Sequence, residues 1–224
     1  MCCNAFPQHA FSKDRRLNRR YPLPALEKDK SIPEAQTETG SDEIRFVWID
    51  LEMTGLNPEV DQILEIAVVV TGADLVPLGE MTRVVHQSEE TLEKMSKVVQ
   101  RMHTRNGLIK DVLASTVTLR EAERAAMSLV VEHCLPGEAF LCGNSVHHDW
   151  RFLARHMTRL EQYLHYRQVD VSTIKVLVQA WSSTLAYPKE VSEHRALGDI
   201  HASIEELRYY CEKVFRTPLA ELTR

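Results

Sequence analysis

The chain reads as an α/β protein, with a mixed β-sheet flanked by helices on both faces. Three observations predict this class. Apolar runs at 44–51, 62–71 and 81–86 are separated by Gly- and Pro-containing turns at 55–58 and 72–77, the pattern of consecutive strands. Helical periodicities follow, alternating with two short strand candidates at 139–142 and 169–171. Hydrophobic residues make up 44% of the chain and charged residues 26%, so a core large enough for a layered sheet can form.

Residues 1–43 stand apart from this pattern. Lys13, Arg15, Arg16, Arg19 and Arg20 face only Asp14 within the first 26 positions, and Pro22, Pro24 and Pro33 precede a polar stretch ending at Glu43. Such a segment is expected to be a disordered or targeting extension. Its Arg-rich, acid-poor character suits a mitochondrial transit peptide as well as a plain tail, which places the protein in the cytoplasm or the mitochondrion. The folded domain is expected over 44–216, with 217–224 as a C-terminal tail.

Within the domain, Ser88 can cap a helix running to Val99, with Leu92, Met95 and Val99 at helical spacing. A helix over 119–133 is stopped by Pro136-Gly137. After the strand at 139–142, helices are expected at 149–160, 172–181 and 194–214. The last carries Ile200, Ile204, Leu207 and Cys211 on one face.

Composition narrows the partners. No apolar stretch approaches the roughly 20 residues that span a bilayer. Net charge is −5 and no basic face is evident after residue 45, so a long nucleic acid is a poor fit, whereas a short one held by a few residues is not excluded. The five cysteines form no Cys-x-x-Cys pair, which argues against a disulfide framework or a zinc site.

The chemistry begins at Asp50 and Glu52, which end the apolar run Phe46-Val-Trp-Ile49. At i and i+2 on a strand, both side chains point to one face. Folding does not favour adjacent like charges there, whereas a shared hard cation would. The plain alternative is a solvated acid pair. Asp149 follows the strand at 139–142 through the loop Gly143-Asn-Ser145-Val-His-His148 and should begin a helix. His194 and Asp199 should sit at the start of the last helix. Taken singly, both aspartates are ordinary helix-N-terminal acids, favoured by the macrodipole at about 0.3–1 kcal/mol. Together, four carboxylates can hold two divalent ions for phosphodiester hydrolysis, and a histidine can take the proton of the attacking water.

In this ordered set the chain resembles the DEDDh 3′→5′ exonucleases, with Asp50 and Glu52 matching the first motif, Asp149 the second, and His194 with Asp199 the third. Asp50-Leu-Glu-Met-Thr-Gly-Leu56, Val85-His-Gln-Ser88, Cys142-Gly-Asn-Ser145 and Tyr166-Arg167…Asp170-Val-Ser172 further resemble the oligoribonucleases, over about 44–210. The resemblance implies a ribonuclease H-like fold, two Mg²⁺ or Mn²⁺ ions held by Asp50, Glu52, Asp149 and Asp199, and a homodimer degrading very short RNAs, dinucleotides especially, to 5′-mononucleotides. It also implies a cap on the substrate's 5′-phosphate, with Ser145 and His194 from one subunit and Tyr166, Arg167 and Ser172 from the other. Leu56 would wedge against a base. Other readings are a related exonuclease acting on longer RNA or DNA 3′ ends, and a non-catalytic RNA-binding protein on the same fold.

Three positions depart from the family pattern. Val98 stands where a base-stacking tryptophan is usual, Asn106 where serine is typical, and Gly198 where an acid or polar residue is common. Base–aromatic stacking is worth about 1–3 kcal/mol per base, so Val98 predicts weaker dinucleotide binding.

Overall fold

A computed structural model of the chain describes residues 44–188 and 194–215. The N-terminal extension and the C-terminal tail lie outside them. Five strands, β1 (Arg45–Met53), β2 (Ile63–Gly72), β3 (Pro77–Val84), β4 (Phe140–Gly143) and β5 (His165–Asp170), form one sheet in the order β3-β2-β1-β4-β5. The first three are antiparallel neighbours, and β4 and β5 add in parallel. Eight helices are described: α1 (Glu89–Glu93), α2 (Lys97–Arg105), α3 (Leu108–Ala114), α4 (Leu119–His133), α5 (His147–His156), α6 (Thr158–Tyr163), α7 (Val171–Trp181) and α8 (Ala196–Lys213).

Strand alternation sorts the core. Val47, Ile49 and Leu51 of β1 pack with α4, α5 and α6 on one face of the sheet. Trp48 packs with α7 and α8 on the other, through residues such as Ile200, Ile204 and Tyr210. Asp50 and Glu52 continue the Trp48 row and so belong to the α8 side. A third cluster, Leu64 with Leu92, Met95, Leu108 and Val112, seats α1–α3 beside the start of β2.

The expected fold class holds, with differences in the elements. β3 begins at Pro77, inside the anticipated turn; it is an edge strand, where a missing N–H costs no ladder bond. The helix expected over 88–99 is two helices. Ser88 caps the first through Thr91 N–H, but Ser96 caps a second through Val99 N–H, so its side chain outcompetes helix continuation. α3 was not anticipated, being only two turns long; Leu108 and Val112 bury it at i,i+4. The helix expected over 149–160 starts at His147 and breaks at Met157, where the Glu123 carboxylate of α4 takes the Arg159 and Leu160 N–H groups at 2.9 and 3.3 Å. α4 matches its expectation, including a Thr118/Glu121 capping box. Cys134, Cys142 and Cys211 are buried free thiols.

Candidate active site

β4 pairs with β1 only over Phe46–Trp48, so beyond Trp48 one edge of β1 loses its neighbour. The Leu51 N–H, left without a strand partner on that side, donates to Asp149 Oδ1 at 3.0 Å. This bond ties the first turn of α5 to the segment between Asp50 and Glu52. On the α8 side, Asp199 lies in the first turn of its helix. Oxygen or nitrogen atoms of Glu52, His194 and Asp199 approach within 4.8 Å of one another. The five residues singled out from the sequence therefore meet at one place, the open end of β1.

Their charges conflict without a counter-ion. Burial, then the charges of Asp149, Glu52 and Asp199, push the Asp50 carboxyl well above its ordinary range. Burial, then Asp199, raises Glu52 to about 8. Burial raises Asp149 to about 7, although the Leu51 N–H works in the opposite direction. Clustered oxygen donors that ionise reluctantly suit a hard divalent cation, which would replace the missing positive charge. The donor set thus fits divalent metal.

Sequence reasoning missed the residues that brace this cluster. Glu65 lies opposite Glu52 across β1 and β2 and is buried. Its carboxylate takes two N–H groups of Arg195, at 2.8 and 3.1 Å, and the Ala196 N–H at 3.1 Å. Arg195 also reaches Asp111 Oδ2 at 3.0 Å. The cue was a lone acid inside the apolar run Ile63-Leu-Glu65-Ile66. His103 is fully buried. Its Nε2 meets the Met53 carbonyl at 3.0 Å, which assigns the proton to Nε2. Its Nδ1 has no hydrogen-bond partner and lies 3.9 Å from Glu52 Oε2. Burial lowers its pKa, so a neutral ring faces the protonated Glu52 carboxyl of the metal-free protein. Asn144 Nδ2 donates to Ser203 Oγ and Glu206 Oε2 at 3.0 and 3.1 Å, and Ser203 Oγ donates to the Asp199 carbonyl at 2.8 Å. The loop after β4 is thereby joined to the helix that carries Asp199.

Leu56 sits in the turn after β1 and is 60% exposed, so it is not a core leucine. The turn is built by Asp61, whose oxygens accept Thr54 Oγ–H and Asn57 N–H at 2.9 Å each. A Cβ at Gly55 would lie 2.5 Å from that carboxylate, so a larger residue there would push Asp61 out of the bonds that build the turn. Val98 is 68% exposed, a surface position with no packing role. Ser145 has a φ of 55° and donates its N–H to Asp170 Oδ1 at 3.0 Å. Ser172 donates both its N–H and its hydroxyl to the same oxygen, and Ser172 Oγ is 3.3 Å from the Ser145 nitrogen. Asp170 therefore presets both serines within one chain. Tyr166 and Arg167 lie away from this pair on the exposed edge strand β5, the guanidinium carbon 5.4 Å from the tyrosine ring centroid.

The RNase_T exonuclease family model matches residues 47–207. The chain is 48% identical to the oligoribonuclease of Paracidovorax citrulli over 170 residues, 75% of this chain and 88% of that one. It is 46% identical to the oligoribonuclease of Shewanella oneidensis over 178 residues, covering 79% and 98%. Among solved structures it is similar to exonuclease I of Methylocaldum szegediense, with a TM-score of 0.60 and 16% identity over 77% of this chain. It is also similar to E. coli ExoI in its zinc-bound complex with single-stranded DNA, with a TM-score of 0.61 and 14% identity over 80% of this chain. The chain spans only 41% and 42% of those two exonuclease I chains. At that identity the likeness carries the ribonuclease H-like fold and nothing more.

Proposed function

The chain belongs to the oligoribonuclease family of exonucleases, and from that premise we propose how its residues act. It is a 3′→5′ exoribonuclease of short oligoribonucleotides, dinucleotides above all, releasing 5′-mononucleotides. One observation carries the residue assignment: the convergence of Asp50, Glu52, Asp149, Asp199 and His194 at the open end of β1.

The four carboxylates would hold two divalent cations, Mg²⁺ or Mn²⁺, which would supply Lewis acidity to the phosphoryl group. His194, on the exposed rim, takes a proton from the attacking water. The water oxygen bonds to phosphorus, the bond from phosphorus to the 3′ oxygen of the preceding nucleotide breaks, and that oxygen takes a proton from solvent water and leaves as a hydroxyl. A nucleoside 5′-monophosphate departs from the 3′ end. Asp149 keeps the Leu51 N–H bond, which holds its carboxylate beside Asp50. Leu56 wedges against a base.

The enzyme works as a homodimer. β5 is an open sheet edge, and α7 beside it exposes Val176, Leu177 and Trp181, the last at 75%. An unpaired edge next to an apolar helix face suits a second copy of the chain. Ser145 and His194 of one subunit, with Tyr166, Arg167 and Ser172 of the other, then cap the substrate's 5′-phosphate. Arg167 supplies a bidentate charged contact. Ser172 must turn its hydroxyl from Asp170 to join it. A closed cap suits a protein of net charge −5, which has no long strand to follow. No helix among the described residues is long and apolar enough to cross a membrane. The Arg-rich extension supports mitochondrial delivery, which a reporter fused to residues 1–43 tests; a diffuse cytosolic signal would sink it.

The test of function is a Mn²⁺-supplemented digest of 5′-phosphorylated RNAs from two nucleotides upward, with Asp149→Asn as control. Turnover should be fastest on the dinucleotide and fall with length. Rates flat with length would keep the nuclease but favour action on longer 3′ ends. Activity retained by Asp149→Asn would exclude the metal assignment.

A further inference from the structure

We propose that Asn106 is a positioning residue for His194, its carboxamide holding the backbone on which the imidazole is mounted. The inference rests on the reading of His194 as the group that takes the water's proton. His194 has a φ of 52°, in the left-handed region that few non-glycine residues adopt, so contacts that hold it there matter. Asn106 ends α2, 88 positions upstream. Its Nδ2 donates to the His194 carbonyl at 2.5 Å, and its Oδ1 accepts the Leu108 N–H at 3.1 Å. One side chain thus closes the corner between α2 and α3 and grips the hinge before α8.

The next residue is fixed separately. Arg195 is ion-paired with Glu65 at 2.8 Å and with Asp111 of α3 at 3.0 Å. The peptide that leads from His194 into α8 is therefore held twice, by a carboxamide bond on the His194 carbonyl and by a doubly paired arginine. Both Asn106 and Asp111 come from the same α2–α3 corner, so that corner sets where the imidazole stands relative to Glu52 and Asp199. Serine, the residue the family resemblance leads one to expect at 106, ends one bond nearer the backbone. The bridge is a property of the asparagine in this chain.

A double-mutant cycle on the full chain tests the proposal, with kcat read on a 5′-phosphorylated dinucleotide. His194→Ala should lower kcat by about 10²–10⁴-fold. Asn106→Ala should lower it about tenfold or more in the wild-type background and not at all in the His194→Ala background, because the two act as one unit. Asn106→Asp keeps the acceptor for Leu108 N–H but sets a carboxylate oxygen against the His194 carbonyl; it should be at least as slow as Asn106→Ala in the wild-type background and make no difference in the His194→Ala background. Wild-type kcat in Asn106→Asp, or an equal slowing by Asn106→Ala in both backgrounds, would overturn the clamp. Full activity of His194→Ala would instead overturn the role of His194 itself, so the two failures are distinguishable.

Discussion

Replacing Glu52 by glutamine should stabilise the metal-free protein at alkaline pH and abolish turnover. Glu52 is 7% exposed, and its carboxyl titrates near 8 in the fold against an ordinary 4.5. Below about pH 4.5 the group is protonated whether the chain is folded or not, and it contributes no pH-dependent cost. Between there and about 8 the unfolded chain gives up its proton while the folded chain keeps it, so stability falls as pH rises. Above 8 the whole cost is present. At about 1.4 kcal/mol per unit, the shift from 4.5 to about 8 sets a ceiling of roughly 5 kcal/mol. Asp50 and Asp199 stay behind, so a gain of about 2–4 kcal/mol is expected, on the order of 5–15 °C in melting temperature for a domain of this size. The new amide can donate to His103 Nδ1, which has no partner and lies 3.9 Å from Glu52. The assay is thermal unfolding in EDTA at pH 5 and pH 8.5, then with Mn²⁺. The variant's advantage should be large at pH 8.5 and small at pH 5. Mn²⁺ should raise the wild-type midpoint at pH 8.5 far more than that of Glu52→Gln. A destabilised variant in EDTA at pH 8.5, or the same gain at both pH values, would refute the electrostatic account.

Other expectations address binding, the start of α8 and assembly. Val98→Trp places an indole on a 68% exposed position of α2 and should lower KM for dinucleotides by about five- to a hundredfold, which steady-state kinetics reads directly; an unchanged or higher KM would count against base stacking at that site. Gly198→Ala adds a methyl that meets nothing within 4 Å in the first turn of α8, so it should stabilise by about 0.4–1 kcal/mol; a lower midpoint in thermal unfolding would contradict the open space around it. A mixture of Asp50→Asn and Arg167→Ala subunits should recover about a quarter of wild-type activity after random exchange, because half the dimers then hold one intact site of two. No recovery on mixing would place Arg167 in the same subunit as the carboxylates it serves.

The acids and the histidine were legible as a set, because their order and spacing resemble a known pattern although each taken singly has an ordinary reading. Asp50 and Glu52 at i and i+2 share a face by strand geometry alone, and Asp149 and Asp199 each follow a loop into a helix start. Strand alternation and helical periodicity likewise fixed the order of elements and the fold class. Breaks inside periodic segments were hidden, because Leu92, Met95 and Val99 keep helical spacing across the Ser96 cap, and Met157 interrupts a run that reads as continuous. What closes such a break is a contact distant in sequence, as Glu123 does for α6.

The residues that hold the site in shape belong to the same class. Glu65 and Arg195 are 130 positions apart, His103 and Met53 are 50 apart, and Asn106 and His194 are 88 apart. Taken singly in the sequence each is an ordinary polar residue. By itself the sequence determined which groups are candidates for the chemistry, since that depends on residue type and local spacing. Only the tertiary structure decided which groups position them, because a hydrogen bond or ion pair is a matter of a few ångströms between elements whose separation along the chain says nothing about their meeting.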